Sequence, residues 1–353
     1  MRKVLFVELH TQAFGHFVVE SELLLKKAQA IPETRILFYR QKVISNTFWW
    51  KQVQRHCTIV PRILGFYCDR ALSKYFRRYR IDKEKFTSFT LEDYKIYKVH
   101  ESKEIIHFTK KEIQNGEYFL RNLELANQLP LIGVCLRDSA YDETFGKDVV
   151  DAQLHRNIDT KSSKKVIQKL IQQDTNIIRF GNANHEIIPT ITGRYIDLGI
   201  LGSKKESFLS FFLASKVNFF VSTGTGVDAV ACALRKRIYT MNNFPIGTFY
   251  PSNLFPLYLP QDYTWSNSGR KLSFAEIFNL GIQEKTLPDL KKLGIEIRPK
   301  LNEVLEEYVE LVIYLEQQLA YVSNSIYDEN IKIMKIKEFA RRFNLELVSN
   351  IVY

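Results

Sequence analysis

Five consecutive residues have the composition of a phosphate-binding turn. Ser222, Thr223, Gly224, Thr225 and Gly226 stand between an apolar run that predicts a strand over 217–221 and one that predicts a helix over 227–234. Glycine lets a backbone approach a ligand closely, and hydroxyls and amides at a helix start offer hydrogen bonds to an anion. The pattern predicts either a cradle for a nucleotide diphosphate or a tight strand-to-helix turn. It lacks the lysine of a P-loop and does not make a dinucleotide fingerprint.

Arginines recur where strands are predicted to end. Arg137 and Arg179 follow apolar runs, and Arg156 lies in a long polar loop that precedes a helical pattern at about residue 161. Long charged loops of this kind are usually functional, and arginine suits bidentate contacts with phosphate. The alternative is an internal arginine–aspartate network that shapes the loop. The aspartates of this loop form no recognised metal-binding pattern, so we expect no metal site.

A histidine at the start of the first predicted helix could act as a general base. Gly15 and His16 follow the first predicted strand, and Glu20 comes four residues later. A histidine has the pKa that such a base needs near neutral pH. The alternative is a histidine that caps or packs under the helix, and the same two interpretations apply to His155. Asp228, in the first turn of the helix after the glycine turn, could simply complement the helix dipole.

Alternating strand and helix patterns must position these residues. Strands predicted over 3–9, 35–39 and 57–60 flank a helix over 17–30, and a second alternating series starts at residue 133. This order predicts an α/β protein with parallel sheets. We place an N-terminal domain at 1–128, a C-terminal domain at 129–298 and terminal helices at 299–353. The apolar spacing over 301–322 predicts a long helix that packs on the body of the protein, with a coiled-coil dimer as the alternative.

Bulk properties restrict the partners without selecting one. The chain has 353 residues and a formal net charge of +11, which suits phosphate-bearing ligands, nucleic acid or an anionic membrane. No nucleic-acid motif is present, so we expect no nucleic-acid partner. The basic and aromatic stretch 74–80 predicts either an amphipathic helix or a peripheral contact with anionic lipid. Four scattered cysteines and the absence of a signal peptide or a membrane-spanning run indicate a cytoplasmic protein, with possible attachment to the inner face of the membrane.

Several motifs together resemble a family of bacterial glycosyltransferases that belong to surface-polysaccharide gene clusters. The resemblance spans about residues 1–250. Its specific parts are the segments Arg137–Asp138–Ser139–Ala140–Tyr141 and His155–Arg156–Asn157–Ile158–Asp159, and Gly15–His16 and Ile178–Arg179–Phe180–Gly181 accompany them. The segment 220–242 is similar to the donor half of GT-B glycosyltransferases such as the heptosyltransferases. It departs from them where Thr-Gly-Thr-Gly replaces the usual serine after the strand.

The resemblance implies a GT-B-like fold, with two Rossmann-like domains that face a cleft and C-terminal helices that pack back across them. It implies transfer of a sugar from a nucleotide sugar to a glycan or lipid-linked acceptor, without a metal or other cofactor. The implied catalytic residues are His16 and Asp138, and Gly15 and Glu20 belong to the acceptor side. The resemblance implies that the donor is bound by Arg137, Arg156, Arg179, Ser222, Thr223, Gly224, Thr225 and Gly226. We also expect His155, Gly181 and Asp228 on the donor side.

Two other functions fit the same layout, since a fold does not fix an activity. One is a sugar-nucleotide epimerase or hydrolase, which would need no acceptor. The other is a binding or assembly protein of the polysaccharide machinery, in which the fold serves as a scaffold. Nucleotide binding without turnover would favour the scaffold.

Overall fold

The chain divides into two compact units. The computed structural model describes residues 3–75, 86–87, 93, 96–123, 125–126, 128–138, 157–181, 193–199, 207–248, 256–321, 329–348 and 351–352. Unit 1 comprises Met1–Phe119, Lys205–Ser215 and Gly226–Lys236, and unit 2 comprises the rest. The domain limits at 128 and 298 stay a prediction.

Unit 1 contains a three-stranded parallel sheet in the order β1-β2-β3, with helices from three parts of the chain. Its elements are β1 (Lys3–Leu9), α1 (Phe14–Gln29), β2 (Thr34–Arg40), α2 (Thr47–His56), β3 (Thr58–Ile59), α3 (Arg62–Tyr75) and α4 (Lys110–Arg121). β1 pairs with β2 along its whole length, from Lys3 opposite Thr34 to Leu9 opposite Arg40.

The first helix begins three residues earlier than its apolar pattern predicts. The sequence predicts a start at residue 17, but α1 starts at Phe14 and includes Gly15 and His16 in its first turn. The Phe14 ring packs edge-on against Phe211, with ring centroids 6.1 Å apart. This tertiary contact outweighs the low helix propensity of Gly15.

Two helices that come later in the sequence belong to unit 1. These are α6 (Leu209–Lys216) and α7 (Asp228–Ala233). The ring of Phe211 stacks on the buried Trp49 at 5.6 Å, and a Cβ added to Gly116 would lie 2.3 Å from the Phe212 ring. Large apolar area is therefore buried between α6 and the N-terminal helices, which is the dominant favourable term in packing.

Unit 2 contains an eight-stranded sheet with a small antiparallel pair beside it. Its elements are β4 (Leu131–Cys135), α5 (Thr160–Gln172), β5 (Asn176–Arg179), β6 (Tyr195–Asp197), β7 (Phe219–Ser222), β8 (Arg237–Asn243), β9 (Tyr258–Pro260), β10 (Asp262–Trp265), α8 (Phe274–Asn279), α9 (Leu287–Lys292), β11 (Ile295–Arg298), α10 (Asn302–Tyr321), α11 (Glu329–Arg342), β12 (Leu347–Val348) and β13 (Ile351–Val352).

The large sheet has the strand order β12-β13-β9-β8-β7-β4-β5-β6 and is parallel except for the β12–β13 pair. The residues of β4, β5 and β7 are almost entirely buried. Strands covered on both faces are typical of parallel sheets in α/β proteins. The fold class predicted from the sequence, α/β with parallel sheets, is confirmed.

The long predicted helix packs on unit 2. α10 buries Leu305, Tyr308 and Val312 in the main hydrophobic core. The buried Tyr308 hydroxyl donates to the carbonyls of Thr240 and Leu257, at 2.9 and 3.0 Å. The apolar stripe of α10 is thus occupied within its own chain, which confirms the prediction of packing on the body.

Candidate functional site

In unit 1, the carboxylate of Glu20 joins two histidines. Its Oε1 lies 2.9 Å from Nδ1 of His16, and its Oε2 lies 2.6 Å from Nδ1 of His10. His16 and Glu20 meet because residues four apart share one face of α1. His10 comes from the segment just after β1. A carboxylate on Nδ1 orients the imidazole and leaves Nε2 to accept a proton.

The protonation equilibria of this cluster support acid–base chemistry. The hydrogen bond from Glu20 raises the pKa of His16 above its ordinary value, although partial burial opposes this effect. Burial works to raise the pKa of Glu20, but its contacts with His16 and His10 outweigh burial and lower that pKa. Glu20 is therefore an anion near neutral pH and stabilises a proton on His16.

The glycine before His16 makes a close backbone contact. A Cβ added to Gly15 would lie 2.9 Å from the Cα of Gly226, the last residue of the glycine turn. Both residues belong to unit 1. The first turn of α1, which carries His16, therefore packs directly against Gly226, two residues before α7.

In unit 2, the hydroxyls of the glycine turn bind the backbone of the protein. The buried Ser222 hydroxyl accepts from the amide of Gly224 at 3.1 Å and lies 3.4 Å from the Cys135 carbonyl. The Thr223 hydroxyl accepts from the amide of Arg137 at 2.9 Å. These two hydroxyls connect the carboxyl ends of β4 and β7, which matches the alternative in which the segment is a tight turn.

Gly224 approaches a side chain of the protein itself. Its φ is +82°, and an added Cβ would lie 2.3 Å from the Oδ1 of Asn243. Asn243 is held at the end of β8, because its Nδ2 donates to the Tyr258 hydroxyl and its Oδ1 accepts from the Phe244 amide. Glycine is therefore required at position 224 by both conformation and space.

Arg179 lies between two carboxylates at the end of β5. Its guanidinium donates to Asp138 and to Asp197, each at 3.1 Å, and the Arg179 and Asp197 side chains are buried. Asp197 also accepts from the amide of Gly199 at 2.8 Å. The alternative drawn from the sequence was also an arginine–aspartate network, but it joined Arg137 to Asp138 or Asp142 and Arg156 to Asp159, so the pairs that Arg179 makes were not predicted.

The remaining predicted residues are less closely connected. Arg137 is partly exposed just after β4, next to Asp138, and Gly181 follows Phe180 beyond the end of β5. Asp228 is the first residue of α7, and Thr225 precedes Gly226 in the turn. His155, Arg156 and most of the stretch 74–80 lie outside the described residues. Asp159 caps α5 by accepting from the amide of Ser162 at 2.9 Å.

Three residues of this site were missed by the sequence interpretation. They are His10, Asp197 and Asn243. His10 comes directly after β1, so its position at the end of a strand was a usable signal. Asp197 ends a strand of only three residues, and Asn243 contacts a glycine nineteen positions earlier in the sequence. No local pattern could have indicated those two contacts.

Among the residues that the structure describes, no group of three or more histidine, cysteine, aspartate or glutamate side chains has an arrangement that could hold a metal ion. Within the same residues, no helix is both long enough and apolar enough to span a bilayer.

Comparison with known proteins found similar structures only. No protein-family model matches the sequence. No curated protein matches it either. The chain is similar to ADP-heptose LPS heptosyltransferase II of E. coli, with 12% identity and a TM-score of 0.41 over 67% of this chain and 84% of that chain. It is also similar to a glycosyl transferase family 9 protein of Veillonella parvula, with 12% identity and a TM-score of 0.47 over 74% and 87% of the two chains. A third similar structure is the E. coli heptosyltransferase WaaC with ADP-2-deoxy-2-fluoro heptose, with 14% identity and a TM-score of 0.38 over 78% and 98%.

Proposed function

We propose that this protein is a glycosyltransferase of the GT-B type, which moves a sugar from a nucleotide sugar to a carbohydrate or lipid-linked acceptor. The observation that supports it best is the His16–Glu20 pair beside the contact between Gly15 and Gly226. His16 follows Gly15, and Gly15 contacts Gly226 within unit 1, a residue that the resemblance assigns to the donor side. Transfer from a diphosphate-linked sugar requires an acid–base group and a group that stabilises the departing diphosphate.

His16 acts in this proposal as the general base. Its Nε2 takes the proton of the acceptor hydroxyl while that oxygen attacks the anomeric carbon and the bond to the nucleotide diphosphate breaks. Glu20 stabilises the imidazolium that forms, as its effect on the pKa of His16 indicates. Asp138 already accepts from Arg179, so His16 is the better candidate of the two predicted bases.

The donor diphosphate is held, in this proposal, by the Arg137 side chain and by the turn from Gly224 to Gly226. Positive charge at that place stabilises the leaving group as negative charge develops on it, which is the role that a metal fills in other transferases. His155, Arg156, Gly181 and Asp228 complete the proposed donor side. Arg179, being buried between Asp138 and Asp197, would position Asp138 rather than contact phosphate.

A ligand panel tests the donor site first. The purified protein is heated with nucleoside monophosphates, nucleoside diphosphates and nucleotide sugars, and the midpoint of unfolding is recorded. A ligand present at 100 times its Kd should stabilise the protein by about 2.7 kcal/mol. Arg137→Ala should abolish the shift. Arg194→Ala is the matched control, because this partly exposed arginine pairs with the exposed Asp174 elsewhere in unit 2.

The donor identified in this way then tests catalysis. His16→Ala should bind that donor as the wild type does but lose transfer to acceptor, and a chelator should leave wild-type transfer unchanged. If the protein is folded and none of the nucleotides changes its midpoint of unfolding, the proposed donor site is contradicted and the scaffold function is favoured. Transfer that a chelator abolishes contradicts the metal-independent mechanism, and turnover without acceptor favours an epimerase or hydrolase.

A further inference from the structure

Helix α3 is attached to unit 1 along a narrow stripe. A Cβ added to Gly65 would lie 2.5 Å from the ring of Tyr39, so only glycine lets the helix backbone rest on that ring. Four residues later, Asp69 accepts a hydrogen bond from the Tyr39 hydroxyl at 3.3 Å. Residues four apart lie on one helix face, so Gly65 and Asp69 define the face that α3 turns to the sheet.

The opposite face of α3 presents apolar side chains to solvent. The exposed fractions are 69% for Ile63, 52% for Leu64, 37% for Phe66 and 66% for Tyr67. Four large apolar residues with this exposure within five positions of one helix are unusual, since exposed hydrophobics are normally isolated and clusters of them mark interaction sites. We call these four residues the α3 patch.

The charged residues of α3 that lie next to the α3 patch in sequence include two cations. Arg62 and Arg70 are both exposed, and the Arg70 guanidinium lies 4.4 Å from the centre of the Phe66 ring. The only acidic residue between positions 62 and 71 is Asp69, which is turned toward Tyr39. Arg70 lies beside Phe66 and Arg62 is the first residue of the helix, so the exposed part of α3 combines apolar and aromatic side chains with cations.

We propose that the α3 patch, with Arg62 and Arg70, docks on the surface of an anionic lipid bilayer. A helix with such a face lies in the plane of the interface, with its apolar residues among the acyl chains and its cations at the headgroups. Tyrosine prefers this boundary because its ring is apolar and its hydroxyl is polar. The positive charge complements an anionic bilayer and gives no advantage on a neutral one.

Binding to vesicles tests this proposal without any nucleotide or acceptor, so its outcome is independent of the proposed transferase activity. The full chain is sedimented with phosphatidylcholine vesicles and with vesicles in which about a third of the lipid is phosphatidylglycerol. We expect binding to the second kind only, and loss of that binding as salt screens the charges.

Two pairs of variants locate the contact. Ile63→Ser with Tyr67→Ser should weaken binding at least about tenfold, because two apolar side chains no longer enter the bilayer. Tyr118→Ser with Leu301→Ser is the matched control, since these residues are 66% and 71% exposed but lie outside α3.

Arg62→Gln with Arg70→Gln should weaken binding about fivefold for each charge removed. Lys98→Gln with Lys292→Gln removes the same charge from other exposed positions and is the control for that pair.

All the changed residues are exposed, so the melting temperatures should stay close to that of the wild type. Equal binding to both vesicle types, no binding to the anionic vesicles at low salt, or equal losses in test and control variants would overturn the proposal. Concentration-dependent dimers that disappear with Ile63→Ser and Tyr67→Ser, without vesicle binding, would show that a second copy covers the α3 patch instead.

Discussion

The backbones of Gly15 and Gly226 lie so close that a side chain at position 15 would not fit between them. A Cβ at position 15 would come within 2.9 Å of the Cα and 3.3 Å of the carbonyl oxygen of Gly226. The reverse is not true, because a Cβ at position 226 would meet its nearest atom at 3.5 Å, an ordinary van der Waals distance. The two glycines therefore have different reasons to be glycine.

This asymmetry gives a paired prediction. Gly15→Ala should lower the free energy of unfolding by about 1–3 kcal/mol, because backbone must move to admit the methyl group. Gly226→Ala should cost less than about 1 kcal/mol, since its Cβ has room. Urea unfolding of both variants measures the difference. Equal losses would show that the backbones at positions 15 and 226 are further apart than the structure places them.

Gly224 allows a similar separation of two causes. Gly224→Ala puts a side chain at a residue with a left-handed φ and against Asn243, whose side chain is fixed by two hydrogen bonds. We expect this variant to lower the free energy of unfolding by about 3 kcal/mol. Gly294→Ala has a φ of +72° and no atom within 4 Å of the added Cβ, so it should cost only about 1–2 kcal/mol. Urea unfolding of both proteins tests this, and a Gly224→Ala loss no larger than that of Gly294→Ala would refute the clash.

The main strands were predictable because each is a short apolar run with clear limits. β1 has the predicted bounds, and β2 and β7 differ from theirs by two residues or fewer at each end. The short strands β6 and β9 were not predicted. Three residues are too few for a periodic pattern, and these strands exist because the neighbouring strands offer hydrogen bonds to them.

The candidate site was predictable in its parts but not in its contacts. Glu20 and His16 are four residues apart on one helix, so their hydrogen bond follows from local geometry. The contact of Arg179 with Asp197 depends on two adjacent strands ending together, and eighteen residues separate them in sequence. The hydroxyls of Ser222 and Thr223 could be recognised as hydrogen-bonding groups, but the sequence could not show that the Cys135 carbonyl and the Arg137 amide would be their partners.

The buried network around Arg179 should be sensitive to loss of its cation. Arg179→Met leaves the fully buried Asp197 carboxylate without that guanidinium, and removal of one partner from a buried ion pair costs about 3–5 kcal/mol. Arg298→Met is the control, because Arg298 pairs with Glu296 at 3.2 Å on the surface and should change stability by less than about 1 kcal/mol. Chemical unfolding of both proteins measures the costs, and similar small values would argue against a buried ion pair at Arg179.

The His16–Glu20 pair makes a prediction for proton binding. Because Glu20 raises the pKa of His16, Glu20→Gln should lower that pKa toward about 6.5, the value of an unperturbed histidine. NMR titration of the His16 ring measures this directly, with His16→Ala to assign the signal. If His16 is the base, the acidic limb of the pH–rate profile should move to lower pH in Glu20→Gln. An unchanged His16 titration would contradict the hydrogen bond to Glu20.

The stabilising effect of this pair has a defined pH range. The pKa of His16 is higher in the folded protein than in the unfolded chain, so the contribution is complete below the unfolded pKa and is lost as pH rises through the folded pKa. The difference in the free energy of unfolding between wild type and Glu20→Gln should therefore decrease as pH rises from the unfolded to the folded pKa of His16. Urea unfolding at several pH values measures it, and an increasing difference would contradict the sign.

Lys300 makes the opposite kind of prediction in unit 2. It follows β11, is buried, and shares the Asp262 carboxylate with Lys271, whose Nζ lies 2.9 Å from Oδ1. Burial lowers the pKa of Lys300 to about 8, although Asp262 opposes this. An unfolded lysine titrates near 10.4, so between about pH 8 and 10.4 the unfolded chain binds more protons than the folded protein at this site.

The free energy of unfolding of the wild type, relative to Lys300→Met, should therefore rise with pH in that range, by at most about 1.4 kcal/mol per pH unit. Asp262 keeps Lys271 as a partner in the variant, so the variant should fold. Lys292→Met, at an exposed position, should show no such pH-dependent difference from the wild type. A difference for Lys300→Met that is flat or falls between pH 8 and 10 would mean that Lys300 stays charged in the folded protein, held by Asp262 more strongly than burial opposes it.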